Sequence, residues 1–294
     1  MAHRLIPCCP QTMQALPSWL IGLAAGFQGR WQYMKSSRET KVGRYNISTA
    51  MPELSSRQRE KMLKRSLKQS ARTAIELTQM WGDKGSDISR MIVGHKNLKL
   101  LNRAIEYGKG VVIAVPFIGN WEVIPHYLAS LDTKVLLSSA APYPDIEEMI
   151  LDGRMTTGAT LVPDEERSEQ RYVDGLKQGA IACIFTDNIC LHEPAAVFAP
   201  WFSHKAYTST LIPRIARGTG AVQMFAFAER VKGGYRINWV LGPEEIYDAD
   251  PIVSATAVNR GVRRCVNKNP EQNWWGYERL MIQKGGKVSP YQQL

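Results

Sequence analysis

The sequence has 294 residues, of which 44% are hydrophobic and 22% charged, and its formal net charge is +10. This composition is typical of a folded globular protein and excludes a disordered or fibrous chain. The length suits one α/β domain with helical additions, or at most two domains. The excess of Lys and Arg favours an anionic partner, and charge alone leaves membrane lipid, an acidic carrier protein and nucleic acid open.

The cysteines and histidines give no metal-site pattern. Five cysteines are present, an odd number, and no two of them form a CxxC pair. This usage favours free thiols in a reduced compartment. The histidines do not lie at zinc-ligand spacing from the cysteines, and dinucleotide or phosphate-loop fingerprints are absent. We therefore predict that the protein uses neither a metal nor a cofactor.

The first 90 residues predict a helical region. An apolar stretch at residues 16–27 is shorter than the roughly 20 residues that span a bilayer. No small-residue cleavage site follows it, which argues against a signal peptide. Tryptophan and leucine flanked by Arg4, Arg30 and Lys35 instead favour a helix that lies in the membrane interface. A core helix is the alternative.

A second helix is predicted over residues 57–80. Its apolar residues recur at spacings of three and four, and its other face is almost uniformly basic. The basic residues of this face are Arg57, Arg59, Lys61, Lys64, Arg65 and Lys68. Such a face is either solvated or a docking surface for an anionic partner.

Residues 91–285 alternate strands with helices. The predicted strands cover residues 111–115, 135–138, 159–162, 180–186, 221–229 and 235–241. The predicted helices cover residues 121–131, 145–156, 169–178, 211–217 and 250–267. This alternation predicts an α/β fold with a central mixed β-sheet flanked by helices. We expect the helical region of residues 1–90, this core and a polar tail at residues 286–294 to make one structural domain.

Two acidic residues follow predicted strands, which is where the chemistry of α/β sheets gathers. Glu122 comes after the buried run at residues 111–115 and a tight Gly-Asn turn. Asp187 comes directly after a later strand of the same kind. Both carboxylates are therefore candidates for a site at the strand ends.

Four motifs follow one another along the chain. They are Arg44-Tyr45-Asn46 with Met51-Pro52-Glu53-Leu54-Ser55; residues 108–122, ending in Gly119-Asn120-Trp121-Glu122; Asp187 with Phe198-Ala199-Pro200-Trp201-Phe202 and Thr208; and Asn269-Pro270-Glu271-Gln272-Asn273-Trp274-Trp275. Together they resemble the late acyltransferases of lipid A biosynthesis, within the lysophospholipid acyltransferase superfamily. The resemblance covers about residues 15–285. Each motif alone is modest, but four in the right order are specific.

The resemblance implies transfer of a fatty acyl chain from acyl carrier protein, occasionally from coenzyme A, to a lipid hydroxyl at the cytoplasmic membrane surface. Both implied partners are anionic, which suits the basic charge of the chain. The family's central pair is a histidine that acts as general base and an acid that orients it, with four residues between them. Here the acid position is Glu122, and Phe117 stands at the histidine position.

Phe117 cannot accept a proton, so the resemblance implies an altered catalytic centre. General-base assistance is typically worth ~10²–10⁴ in rate, whereas positioning and oxyanion stabilisation remain available. His126, one helical turn after Glu122, is expected to be a structural histidine. The candidates for the catalytic work are Glu122, Asp187, His192 and His204.

Four residues are predicted to bind substrate. Asn120 and Trp121 belong to the second motif, and Thr208 belongs to the third. Arg154 matches a family arginine that contacts a phosphate or the developing oxyanion, a task that suits a guanidinium fork. A surface salt bridge is the alternative role for Arg154.

The sequence thus predicts transfer of an acyl or aminoacyl group from a carrier-protein thioester to a hydroxyl of lipid A or a related envelope lipid. The expected location is the cytoplasmic face of the bacterial inner membrane, as a peripheral or monotopic protein. An aminoacyl donor would bring its own amine to share the proton transfer. The alternative is a catalytically silent homologue that binds lipid or carrier protein. Nucleic-acid binding is not predicted, because aromatic residues are not interleaved with the basic ones.

Overall fold

The computed structural model describes residues 18–82, 88–141, 146–163, 168–189 and 195–294, and nine α-helices and nine β-strands lie in these ranges. The helices are α1 Ser18–Met34, α2 Arg38–Ala50, α3 Ser56–Gly82, α4 Leu98–Glu106, α5 Val123–Ala129, α6 Glu147–Met155, α7 Ser168–Lys177, α8 Leu211–Thr219 and α9 Pro251–Lys268. The strands are β1 Ile92–Lys96, β2 Val111–Val115, β3 Val135–Ser138, β4 Thr160–Val162, β5 Ile181–Phe185, β6 Val197–Trp201, β7 His204–Thr208, β8 Val222–Val231 and β9 Gly234–Leu241. Predictions for His192 and for the first 17 residues fall outside the described ranges.

Seven of these strands form one mixed sheet in the order β1-β9-β8-β2-β5-β3-β4. Strands β8, β2, β5, β3 and β4 run parallel, whereas β9 pairs antiparallel with β8 and carries β1 parallel to itself. At the centre, Ala114 of β2 lies between Ile184 of β5 and Phe225 of β8. The predicted α/β fold with a central mixed sheet is therefore confirmed.

Strands β2 and β5 are buried along their whole length, which fits continuous apolar runs in parallel strands covered on both faces. Successive residues of β2 point to opposite faces of the sheet. Val112 and Ala114 join the core formed with α3, α8 and α9. Val111, Ile113 and Val115 join the core formed with α4, α5 and the end of α3. Helices therefore flank both faces of the sheet.

Residues 18–82 of the predicted N-terminal region are described, and they form the three helices α1 to α3. Helix α1 packs on α3 through Ile21 and Ala25, which contact Ala71 and Ile75. A Cβ added at Gly29 would lie 2.8 Å from the α3 backbone, so a glycine is needed for the two helices to approach so closely. The predicted helix over residues 57–80 is confirmed as the middle of α3.

The outer face of α1 is apolar and exposed. Trp19, Leu23, Phe27, Trp31 and Met34 recur every three or four residues and are 50–73% exposed. None of the helices in the described part of the chain combines the length and the hydropathy required to cross a membrane.

The sequence patterns did not predict strands β1, β6 and β7. Strand β1 is a half-exposed edge strand that contains Gly94, so it lacks the apolar run of the central strands. Strands β6 and β7 form a separate antiparallel hairpin, whose turn holds the non-glycine residue Phe202 at a φ of 50°. Asn259 of α9 fixes this hairpin by donating from Nδ2 to the carbonyl oxygen of Pro200 at 3.0 Å.

The polar tail is anchored by one buried aromatic residue. The Tyr291 hydroxyl donates to Oδ1 of Asn46 at 2.7 Å and accepts from the backbone of Leu280 at 3.1 Å. The Asn46 amide nitrogen in turn donates to the carbonyl oxygens of Trp275 and Tyr277, at 2.7 and 2.9 Å. The asparagine of the first sequence motif therefore holds the C-terminal aromatic segment in place.

Candidate active site

The connection from β2 to α5 forms the floor of the candidate site. Gly119 adopts a φ of +65°, and a Cβ at this position would collide with the carbonyl oxygen of Ala228. Its N–H donates to the carbonyl oxygen of Gln272 at 2.9 Å, and its carbonyl oxygen accepts from the Thr73 hydroxyl at 2.9 Å. The predicted tight turn is present because only glycine fits this conformation and this close contact.

Glu122 and Arg154 form a fully buried ion pair. Nε of Arg154 lies 3.2 and 3.1 Å from the two Glu122 carboxylate oxygens, and Nη2 lies 2.6 Å from Oε1. Both side chains have 0% exposure. This forked geometry neutralises the carboxylate and engages both of its oxygens. A substrate hydroxyl could reach Glu122 only if this pair opened.

The remaining nitrogen of Arg154 also contacts the protein. Nη1 donates to the backbone carbonyl oxygens of Ser138, Ser139 and Ala140 at 3.1–3.2 Å. The guanidinium thus ties α6 to the start of α5 and to the segment after β3. The alternative predicted from the sequence was a surface salt bridge, whereas this ion pair is buried, and contact of Arg154 with a phosphate or oxyanion stays a prediction.

Phe117 lies inside an aromatic cluster. Its ring centroid is 4.7 Å from that of Trp121, 5.6 Å from Trp274, 5.4 Å from Tyr277 and 6.2 Å from Phe185. The side chain is 2% exposed. The position that the resemblance assigns to an imidazole is therefore filled by a packed phenyl ring.

Asp187 lies beside the backbone of Phe117. Its Oδ2 accepts the Phe117 N–H at 2.8 Å, and the residue is 9% exposed. Burial raises the pKa of Asp187, although the charge of Arg279 and the Phe117 N–H work in the opposite direction. Together with Phe117, Arg279 and Tyr277, it lines a cavity of about 20 Å³, which has room for about one water molecule. Asp187 is thus the carboxylate that opens onto the cavity.

Thr208 is buried, lines a second cavity at the strand ends, and contacts Arg279, which lines this one. Its Oγ1 accepts from Nη2 of Arg279 at 3.3 Å and from Nδ2 of Asn259 at 3.0 Å. Arg279 also donates to the carbonyl oxygen of Tyr207 at 2.6 Å. Arg279 was not predicted from the sequence, because a single arginine in a segment rich in aromatic residues carries no spacing signal. Its contact with Thr208 and its effect on Asp187 become visible only in the folded structure.

Asn120 and Trp121 are enclosed by the protein. Asn120 is 0% exposed and donates from Nδ2 to the Tyr235 hydroxyl at 3.2 Å and to Sδ of Met80 at 3.0 Å. Trp121 is 2% exposed and stacks on Trp274 with an interplanar angle of 15°. In this arrangement both side chains support the turn, and their predicted contact with substrate requires a change in packing.

A second buried ion pair holds α3 against the sheet behind this turn. Arg230 of β8 forms a two-pronged contact with the Glu76 carboxylate, which also accepts from the Tyr235 hydroxyl at 2.6 Å. Burial is the largest single influence and by itself would raise the pKa of Glu76, but the charge and hydrogen bonds of Arg230 act together with Tyr235 and Arg72 to lower this pKa overall. This cluster was not predicted from the sequence, because Glu76 lies 154 positions before Arg230 and 159 positions before Tyr235.

The described histidines lie away from the cavity. His204 is exposed, with Nδ1 3.1 Å from the Ser203 hydroxyl and its ring edge-on to Tyr45, and neither contact residue lines the cavity. Nδ1 of His126 is 2.8 Å from the carbonyl oxygen of Glu122, and burial lowers the pKa of this imidazole. His192 lies outside the described residues, so its predicted role is open.

Within the described residues, no group of three or more His, Cys, Asp or Glu side chains is arranged to hold a metal ion.

A second cavity of about 30 Å³ lies at the carboxyl ends of β3, β4 and β5, between α7, α8 and α9. It shares Phe185 with the aromatic cluster, and its apolar lining includes Tyr172, Ile184, Leu211 and Ile212. Open α/β sheets bind ligands at such strand ends.

Comparison with known proteins agrees with this architecture. Residues 10–281 match the family described as bacterial lipid A biosynthesis acyltransferase, which is far more than half of the 294 residues. No curated protein matches the chain. The family acts by acyl transfer to lipid A-type acceptors, and the resemblance seen in the four sequence motifs is therefore confirmed. The chain belongs to the bacterial lipid A biosynthesis acyltransferase family.

Proposed function

We propose that this protein transfers an acyl or aminoacyl group from a carrier-protein thioester to a hydroxyl of lipid A or a related envelope lipid, and that Asp187 is the general base. The observation that carries this proposal is the position of the Asp187 carboxylate, which touches the Phe117 backbone and opens onto the cavity. Glu122, by contrast, is occupied by Arg154 on both oxygens. Asp187 therefore supplies the proton acceptor that Phe117 lacks.

The reaction needs one proton acceptor and one site for negative charge. The lipid hydroxyl oxygen attacks the thioester carbonyl carbon, a C–O bond forms, and the C–S bond to the carrier breaks. Asp187 accepts the hydroxyl proton and returns it to the departing carrier thiolate, so that atoms and charge balance. Arg279, whose charge acts on Asp187, stabilises negative charge in the same cavity.

The chemistry of the cavity supports an aminoacyl donor. A carboxylate beside aromatic rings suits a protonated amine. An aminoacyl thioester offers such an amine. A longer acyl chain would instead extend past Phe185 toward the second, apolar cavity.

The acceptor implies a lipid surface, and α1 supports that location. Its apolar stripe of Trp19, Leu23, Phe27, Trp31 and Met34 lies on the outer face of a helix whose inner face is packed on α3. Lys68 and Arg72 of α3 lie beside Gly26 and Gly22 of α1. An apolar stripe flanked by cations is the arrangement of helices that lie in the interface of anionic membranes. The α1 stripe supports contact with a membrane surface, and we propose the cytoplasmic face of the inner membrane as the location.

The test is transfer by the purified protein. Incubation with acyl- or aminoacyl-loaded carrier and a lipid A precursor is expected to add the mass of the donor group to the lipid. Asp187→Asn should remove this product while binding of carrier and lipid persists. If no donor yields a product although the protein binds both partners, or if Asp187→Asn transfers as well as the native protein, the proposal is wrong.

A second candidate function is a catalytically silent homologue that binds lipid or carrier protein. The observation in its favour is the packing of Phe117 among four aromatic rings, which leaves little space for reacting groups. Phe117→His separates the two candidates. If native protein is inactive and Phe117→His creates transfer, the silent homologue is favoured; native activity that depends on Asp187 rules it out.

A further inference from the structure

The second half of α9 presents a basic surface to solvent. Arg263, Arg264 and Lys268 are exposed, and Arg264 and Lys268 lie four residues apart, a spacing that brings side chains together on a helix surface. In contrast to Arg260, which pairs with Glu245, neither Arg263 nor Lys268 forms an ion pair with a described residue. We call Arg263, Arg264, Lys268 and the neighbouring Lys205 the α9 basic surface.

The hairpin β6–β7 extends this surface. It packs on α9 through Asn259, and the Arg263 guanidinium lies 5.4 Å from the ring centroid of Phe202 at the hairpin turn. Lys205 of the hairpin is exposed and pairs with Pro200, the residue whose carbonyl accepts from Asn259. Cations from two separate elements therefore face solvent together.

Favourable interaction with the helix dipole explains the position of only some of these cations. A cation in the last turn interacts favourably with the helix dipole, and Lys268 occupies that turn. Arg263 and Arg264 lie further from the C-terminus, where this effect has fallen off. Arg263 has no carboxylate partner among the described residues, whereas the charge of Arg264 acts on Glu245, so the surface as a whole keeps an excess of positive charge that an anionic partner would neutralise.

The surface differs from the membrane-facing stripe of α1. In the second half of α9 no large hydrophobic side chain is exposed, whereas α1 exposes five. Interfacial helices need buried apolar area in addition to cations. A surface of cations without apolar neighbours instead fits the rim of a protein–protein contact, where charge steers association and sets specificity.

The inner side of the same helix reaches the candidate site. Val262 and Val266 of α9 line the cavity together with Phe117 and Asp187. A partner seated on the outer side of α9 is therefore one helix away from the reacting groups. Resting on the proposed function, we infer that the α9 basic surface is the docking surface for the acidic carrier protein that presents the thioester.

The experiment compares two charge reversals in the full-length protein. The first variant carries Arg263→Glu, Arg264→Glu and Lys268→Glu on α9. The matched control carries Arg57→Glu, Lys61→Glu and Lys64→Glu on α3, which reverses the same number of exposed cations. Binding of loaded acyl carrier protein and of vesicles containing anionic phospholipid is measured for both at ~0.1 M salt, where the screening length is about 10 Å.

The α9 variant is expected to bind carrier at least about tenfold more weakly and to bind vesicles as the native protein does, because docking charges act on one partner only. The α3 control should keep carrier binding. The inference is overturned if the α9 variant binds carrier normally, or if it loses vesicle binding and keeps carrier binding, which would make the surface a lipid contact.

Folding is checked by circular dichroism, and the single variants Arg264→Glu and Lys268→Glu replace the triple variant if it does not fold. In the native protein, carrier affinity should fall steeply as salt rises from 0.05 to 0.5 M, values chosen to span strong and weak screening. A native protein that binds no carrier contradicts the proposed donor itself. A native protein that binds carrier equally well in all variants contradicts the docking surface alone.

Discussion

Two buried carboxylates lie near the same aromatic cluster, and their surroundings differ. Glu122 is 0% exposed, and both of its carboxylate oxygens accept from Arg154. The remaining nitrogen of Arg154 donates to three backbone carbonyl oxygens. Asp187 is 9% exposed, accepts one N–H from Phe117 and borders a cavity. The difference teaches that a carboxylate in the sequence position of a catalytic acid can be held in a structural ion pair, while the one 65 positions later is the carboxylate that we propose as the general base.

The largest expected effect is on the rate of transfer in Asp187→Asn. Asparagine keeps the size of the side chain but cannot accept a proton, so kcat should fall by ~10²–10⁴. Stability should change by no more than about 1 kcal/mol, because the raised pKa of Asp187 means that burial of its charge is unfavourable. Steady-state kinetics and urea unfolding of the same variant check both statements. A normal transfer rate in Asp187→Asn would contradict the role of Asp187 as the general base.

Glu122→Gln should mainly lower stability. Removing the carboxylate leaves the guanidinium of Arg154 buried without a counter-charge, and breaking such a pair is expected to cost about 3–5 kcal/mol. Denaturant unfolding gives the change in unfolding free energy. Arg154→Met combined with Glu122→Gln is the control, since removing both charges should recover much of the loss. A single variant as stable as the native protein would show that the pair carries little stability.

A third carboxylate shows what burial does without a guanidinium partner. Burial raises the pKa of Glu39 to about 7, although the side chains of Trp274 and Gln32 donate to it. Between the unfolded pKa of 4.5 and this value the folded state holds more protons than the unfolded state. Unfolding free energy should therefore fall as pH rises through this interval. Thermal unfolding of native protein and Glu39→Gln at pH 4.5 and 7 measures the effect, and parallel pH dependences would refute it.

The smallest predicted effect is the pH dependence of transfer. A general base works only when ionised, and burial raises the pKa of Asp187, so kcat should rise with pH on a limb that lies above the ordinary Asp pKa of about 3.9. Rate measurements across pH 4 to 8, a window chosen to contain the limb, test this. The residual kcat of Asp187→Asn should not rise with pH in this window. A rise of kcat that persists in that variant would show that another group acts as the base.

Much of the fold was predictable, because its signals are local. The apolar runs of β2 and β5 and the basic amphipathic pattern of α3 each predicted an element that the structure contains. The turn at Gly119 could be predicted because its conformation requires a glycine. Strand β1 was missed because an edge strand with a glycine and exposed residues has no clear pattern.

The site was only partly predictable, because its decisive contacts join distant segments. Glu122, Asp187 and Phe117 stood out in the sequence, but nothing in it revealed that Arg154 engages Glu122 across 32 positions. Arg279 reaches Thr208 across 71 positions and carries no motif of its own. Sequence patterns identify which residue types are present, whereas pairing of buried charges depends on how the helices cover the sheet.

The most direct test of the central claim is the transfer rate of two folded variants under identical conditions. One is Asp187→Asn, and the other combines Glu122→Gln with Arg154→Met. Our account predicts that the second variant keeps a rate within about tenfold of the native protein, while Asp187→Asn loses ~10²–10⁴. A folded double variant without activity beside an active Asp187→Asn would contradict the account and return the catalytic role to Glu122.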